Sequence, residues 1–205
     1  MRKVALFIVC LVPAAWLVFA LLAECLSADP IKEITEETGI WALRFLLITL
    51  CITPLRKFTG WNNVIKYRRM LGLFAFFYGF LHLLTYAWLD QSLSVSSMLR
   101  DVYKRPFITA GFTGFAVMLP LAITSTKKWI MRLGGRRWQL LHRLTYISGI
   151  AGVVHYLWLV KSDIERPLVY GIFLSCLLAF RVFQSLPLRS PSAAMKPSGG
   201  PVLLS

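Results

Sequence analysis

Six stretches of the chain, from about Val4 to Ala23, Ile40 to Leu55, Met70 to Leu89, Pro106 to Thr124, Gln139 to Val160 and Leu168 to Leu186, are almost wholly apolar, and no long polar block separates them. A bilayer core of about 30 Å is crossed by about 20 residues of helix, so runs of this length repeated from end to end describe a chain solvated by lipid. Strands of a membrane barrel would be about ten residues long and alternate between lipid and lumen, whereas LGLFAFFYGFLHLL is apolar on every face. With 57% of the 205 residues hydrophobic and 16% charged, a soluble domain is excluded. The expected fold is an all-α integral membrane protein, a six-helix transmembrane bundle over residues 1–186. Residues 187–205 follow as a tail, where Pro187, Pro191, Pro197 and Pro201 with the intervening Ser and Gly have nothing to bury, and it is expected to be disordered and cytoplasmic.

The formal net charge of +14 is distributed by membrane side. Basic residues gather at Arg2 and Lys3, at Arg56, Lys57, Lys66, Arg68 and Arg69, at Lys127, Lys128, Arg132, Arg136 and Arg137, and at Arg181, Arg189 and Lys196. Across six spans these segments all fall on one side, and the intervening loops are neutral or acidic, notably the first with Glu24, Asp29, Glu33, Glu36 and Glu37 against Lys32. The positive-inside rule then places both termini in the cytoplasm, with membrane lipid, and no nucleic acid, as the partner of the basic surface. The first run is longer than a signal-peptide core, and Leu26 and Glu24 suit neither a signal-peptidase nor a lipoprotein cut, so it is expected to stay as a span. The four cysteines share no metal-ligand spacing, and zinc and disulfides are not indicated. No internal repeat of the transporter kind is convincing.

All three histidines, His82, His142 and His155, fall within predicted spans, where an ionisable side chain is expensive and tends to mark function. A lone histidine can equally be a neutral hydrogen-bonding group between helices, and depth separates the cases. At about 1.5 Å per residue, His82 and His155 lie at similar depth below the outer ends of two spans that both run from inside to outside, so they can bind one metal from opposite sides. His142 is thirteen residues before His155, roughly 20 Å deeper, near the inner end. Two imidazoles in an apolar, aromatic surround suit a b-type haem better than zinc, which wants four ligands. Arg44, close to the depth of His155, is a candidate partner for a haem propionate. Arg68, fourteen residues before His82, is level with His142; its guanidinium stays protonated, which suits a propionate, a flavin phosphate or a lipid headgroup. On an ideal helix His142 and His155 point about 140° apart.

LLITLCITPLRKF, RRMLGLFAFFYGFLHLLTYAWL, TSTKKWIMRLGGRRWQLLHRLTY and VVHYLWLVK together resemble the YedZ or MsrQ family, the haem-binding membrane subunit of the periplasmic methionine-sulfoxide reductase system and a small relative of ferric-reductase-like transmembrane domains. The resemblance covers nearly all of the chain to about residue 186. It implies a b-type cytochrome of the bacterial inner membrane with haem b and FMN as cofactors, an electron-transfer subunit whose sulfoxide reduction is done by another chain. Electrons would pass from the quinone pool, or from a cytoplasmic flavin reductase, to a periplasmic molybdopterin-containing methionine-sulfoxide reductase. His82, His142 and His155 match the family's histidines, and Arg68 matches an arginine preceding the first. Larger relatives carry two histidine pairs, and one member is missing here. Gly134 and Gly135 form no dinucleotide fingerprint, so the donor lies outside the chain. Alternatives are a ferric or cupric reductase on the same fold, and a transporter or structural subunit without haem.

Overall fold

The computed structural model of the protein describes residues 2–160 and 162–185, and they are helical with short connections. The helices are α1 (Arg2–Leu22), α2 (Pro30–Thr59), α3 (Arg68–Thr85), α4 (Val95–Lys104), α5 (Pro106–Ile123), α6 (Lys127–Leu133), α7 (Gly135–Leu141), α8 (Thr145–Leu159) and α9 (Glu165–Ser185). A 3₁₀ segment, Asn62–Tyr67, precedes α3, and a π-helical turn, Tyr86–Asp90, continues it. The tail expected from residue 187 lies outside the described residues.

Five helical segments are long and apolar enough to cross a membrane: α1, α2, the continuous Asn62–Asp90 stretch, α5 and α9. The run from Gln139 to Val160 is divided. α7 ends at Leu141, His142–Leu144 forms a 3₁₀ turn, and α8 restarts at Thr145. The 15 residues of α8 rise only about 22 Å, so α8 alone falls short of a bilayer core. The second span begins earlier than its apolar pattern suggests. Pro30 occupies the first turn of α2 and the Asp29 carboxylate accepts the amide of Lys32 at 3.1 Å, so Glu33, Glu36 and Glu37 lie on the helix's first turns instead of in a loop. α2 stops where Gly60 adopts φ 72° and returns its N–H to the Arg56 carbonyl, a left-handed cap that a residue with a Cβ would strain.

α2 is the hub. Phe45, Leu46 and Ile52 pack with Leu71, Phe74 and Tyr78 of α3 and Cys10 of α1, while Leu43, Leu47 and Leu50 pack with Val153 of α8 and with Leu174 and Leu177 of α9. A helix apolar on all sides is buried from several directions. Two antiparallel pairs result. Along α2 and α3, Gly39 meets His82, Ala42 meets Gly79 and Thr49 meets Gly72. Along α5 and α8, Gly111 meets His155 and Gly114 meets Ala151, and the buried Ser148 hydroxyl donates to the Gly114 carbonyl at 2.9 Å. The pairs join through a stacked contact of Phe76 with Phe115 at 5.4 Å and through Leu43 against Gly152. Outward, α1 exposes Phe7, Ile8, Val12 and Trp16 and α9 exposes Val169 and Ile172, the apolar surface that lipid covers.

Candidate functional site

Where the two helix pairs face each other, His82 of α3 and His155 of α8 come together with ring centroids 5.9 Å apart and ring planes at 76°. Each ring is anchored from behind. His82 Nδ1 donates to the Thr35 carbonyl at 2.8 Å, and His155 Nδ1 donates to the Phe107 carbonyl at 2.6 Å. A carbonyl can only accept, so Nδ1 carries the proton in both rings and Nε2 bears the lone pair that a metal requires. Neither Nε2 has a hydrogen-bond partner among the described residues. With metal–imidazole bonds of about 2 Å, two rings on opposite sides of one metal have centroids roughly 6 Å apart. Among the described residues no three His, Cys, Asp or Glu side chains cluster, which leaves a two-histidine site whose other ligands a macrocycle would supply. The residues present therefore fit a haem.

At the other end of the bundle, α2, α5, α7 and α9, the 3₁₀ turn and the starts of α3 and α8 border a half-open cavity of about 920 Å³, large enough for a cofactor. Arg68 and His142, expected at one level, both line it, joined by Arg69, Arg143 and Arg181 and by no carboxylate. His142 stacks on Trp138 with centroids 3.8 Å apart, its Nδ1 donates to the Trp138 carbonyl at 3.0 Å, and its Nε2 stands 3.5 Å from Ser125 Oγ. The 3₁₀ turn at His142–Leu144 means that the 140° separation of an ideal helix does not describe His142 and His155 here. The basic residues Lys127, Lys128, Arg132, Arg136 and Arg137 nearby are exposed and do not line the cavity.

Arg44 is not hydrogen-bonded to the facing histidines. Its Nε donates to the Tyr170 hydroxyl of α9 at 3.0 Å, and its guanidinium lies 4.6 Å from the Trp41 ring centroid. Its terminal nitrogens make no hydrogen bond among the described residues.

Sequence reasoning missed two sets of residues. One is the pair Gly39 and Gly111, against which the histidine rings lie; the signal available was the nearly equal spacing of a glycine before each histidine, although Gly39 falls just ahead of the span expected from Ile40. The other is Arg181, whose Nη2 donates to Thr53 Oγ1 at 2.6 Å and whose guanidinium lies 5.7 Å from the Tyr146 ring; a lone arginine inside the last apolar run was its trace.

Residues 38–153 match the family described as ferric reductase like transmembrane component, a stretch that includes Arg44, Arg68, His82 and His142 and ends just before His155. The chain is 52% identical over 190 residues to the protein-methionine-sulfoxide reductase heme-binding subunit MsrQ of Azospira oryzae, covering 92% of this chain and 82% of that protein. It is 49% identical over 195 residues to the MsrQ of Herminiimonas arsenicoxydans, covering 94% and 89%. With the MsrQ of Xanthomonas campestris pv. campestris the identity is 50% over 171 residues, covering 83% and 78%. The chain is thus a multi-pass membrane protein that belongs to the ferric-reductase-like transmembrane family and, within it, to the MsrQ family.

Proposed function

We propose that the protein is a b-type cytochrome subunit of the bacterial inner membrane that carries electrons outward to a periplasmic, molybdopterin-containing methionine-sulfoxide reductase. The observation that carries this reading is the opposed pair His82 and His155, with both Nδ1 atoms committed to backbone carbonyls and both Nε2 atoms free. In it, His82 and His155 would hold haem b through their Nε2 atoms. Haem b, when bound, supplies one-electron redox chemistry. The chain supplies ligand orientation, and an apolar surround, with the stacked Phe76 and Phe115 between outer and inner ends. Arg44, with terminal nitrogens to spare beside Tyr170, is the candidate for a propionate.

The sixth span is α7, the 3₁₀ turn and α8 taken together, which with α1, α2, α3, α5 and α9 makes six crossings over residues 1–186 and puts both termini in the cytoplasm. The lysine and arginine distribution supports that orientation. The arginine-rich cavity is then the inner site, where electrons arrive from the quinone pool or from a cytoplasmic flavin reductase. Its lining of Arg68, Arg143 and Arg181 without a carboxylate favours an anionic guest, FMN or a quinone, held by guanidinium forks. A second haem with His142 as one ligand is the alternative, and what favours it is that His142 Nδ1 is committed to the Trp138 carbonyl while its Nε2 has only Ser125 Oγ at 3.5 Å.

The test is a reduced-minus-oxidised spectrum of the purified protein with haem and flavin quantified, repeated for His82→Ala and His155→Ala. A low-spin b-type spectrum that is lost or severely weakened in both variants is expected. Full haem with an unchanged spectrum in both removes the assignment, and a protein with no Soret band returns the transporter reading.

A further inference from the structure

We propose that Gly39 and Gly111 are positioning residues, each supplying the hollow that lets a histidine ring lie against its helix with Nδ1 on one backbone carbonyl, which sets how the two rings face each other. This rests on the reading of His82 and His155 as an axial pair, and adds to it what sets the rings' orientation.

Neither glycine is there for conformational freedom. Positive φ among the described glycines is confined to Gly60 and Gly134, whereas Gly39 and Gly111 sit inside α2 and α5, where glycine weakens a helix relative to alanine. A Cβ at Gly39 would stand 3.0 Å from both Cε1 and Nδ1 of His82, and one at Gly111 would stand 2.8 Å from Nδ1 and 3.1 Å from Cε1 of His155. At both positions the three nearest atoms all belong to the histidine ring. Among the other helical glycines the closest approach is at Gly114, 3.3 Å from the Ala151 Cβ, and at Gly72, Gly79, Gly149, Gly152 and Gly171 the nearest atom is 3.4 to 3.6 Å away, an ordinary contact.

The same device occurs in both helix pairs. The carbonyl that receives His82 belongs to Thr35, and the carbonyl that receives His155 belongs to Phe107, in each case four residues before the glycine and separated from its histidine by 47 and 48 residues respectively. A side chain reaching the carbonyl of residue i−4 on a helix passes over residue i, so any Cβ there blocks the approach. An alanine at Gly111 therefore pushes the ring off its carbonyl, and one at Gly39 obliges the ring to give by a few tenths of an ångström. The Nδ1–H bond that fixes the tautomer and raises the basicity of Nε2 is then stretched or lost, and the ring turns away from the 76° crossing.

Three readouts separate this from a merely structural role. Nearly perpendicular axial imidazoles give a ferric haem a highly anisotropic low-spin electron paramagnetic resonance signal. Gly39→Ala and Gly111→Ala are expected to move that signal toward a less anisotropic form, or abolish it, and to shift the midpoint potential, with Gly111→Ala the stronger. The third readout needs no haem: the thermal midpoint of the full-length chain from haem-depleted cells, for each glycine variant and for the doubles Gly39→Ala/His82→Ala and Gly111→Ala/His155→Ala. The alanine should lower the midpoint when the ring is present and have little effect when it is absent, and a glycine variant too unstable to accumulate should be recovered in its double. An unchanged resonance signal and potential in both glycine variants would overturn the proposal, as would equal destabilisation with and without the ring or a double that is not recovered. Failure of the axial assignment is distinguishable, because His82→Ala and His155→Ala would then keep the haem spectrum while the haem-free coupling still reports glycine–ring packing.

Discussion

Replacing Tyr78 by phenylalanine tests how α1 is held to the rest of the bundle. Tyr78 is fully buried, its ring stacks on Phe45 with centroids 5.2 Å apart, and its hydroxyl reaches into α1. There it donates to the Cys10 carbonyl at 2.8 Å and accepts the Ala14 amide at 3.0 Å. Cys10 and Ala14 are the i and i+4 positions that would ordinarily bond to each other. Between them sits Pro13, which has no N–H and crowds the carbonyl four residues earlier, opening the turn that the tyrosine hydroxyl enters. Two hydrogen bonds are at stake. Such bonds contribute about 0.5–1.5 kcal/mol each in soluble proteins and average about 0.6 kcal/mol between membrane helices, so Tyr78→Phe should destabilise the fold by about 1–2 kcal/mol. That is roughly a five- to thirtyfold change in the folding equilibrium. Reversible unfolding in mixed micelles titrated with a denaturing detergent would measure it. In a Pro13→Ala background the Ala14 amide and Cys10 carbonyl can close on each other, so the same substitution should matter less, and the double-mutant cycle should show coupling. A Tyr78→Phe protein as stable as the native chain, or a penalty of the same size with and without Pro13, would refute this account of α1.

Two further outcomes follow from the site. His142→Ala and Arg68→Gln, made separately, should leave the outer haem spectrum nearly intact while slowing its reduction by quinol or reduced flavin; an unmodified rate in both variants would mean that electrons do not enter at the arginine-rich cavity. Single cysteines introduced at Glu36 or Glu37 should react with an impermeant thiol reagent from the periplasm and one at Arg136 should not, and the opposite pattern would reverse the inferred direction of electron flow.

What the sequence determined by itself is whatever depends on short stretches of chain. Apolar run length gives helices and a bilayer, because every backbone polar group in lipid must be bonded within its own helix. The fixed rise per residue puts His82 and His155 at one depth and His142 and Arg68 at another, and the rings of the first pair meet 5.9 Å apart. What only the tertiary structure decided depends on residues distant along the chain. Gly39 and Gly111 look like weak points of apolar helices until rings from 43 and 44 residues downstream (82 − 39 and 155 − 111) lie against them. Arg181 enters the arginine-rich cavity because α9 packs beside α2, where it reaches Thr53 across 128 residues of chain. Arg44 turns to Tyr170, 126 residues away, a choice of helix face that depth alone does not contain. The 3₁₀ turn at His142–Leu144 likewise interrupts a run that reads as one helix, because apolar composition records how much chain can lie in lipid but not whether the chain there keeps one helical phase. Rise along an axis is local geometry, and which side of the axis meets which neighbour is settled only when the helices pack.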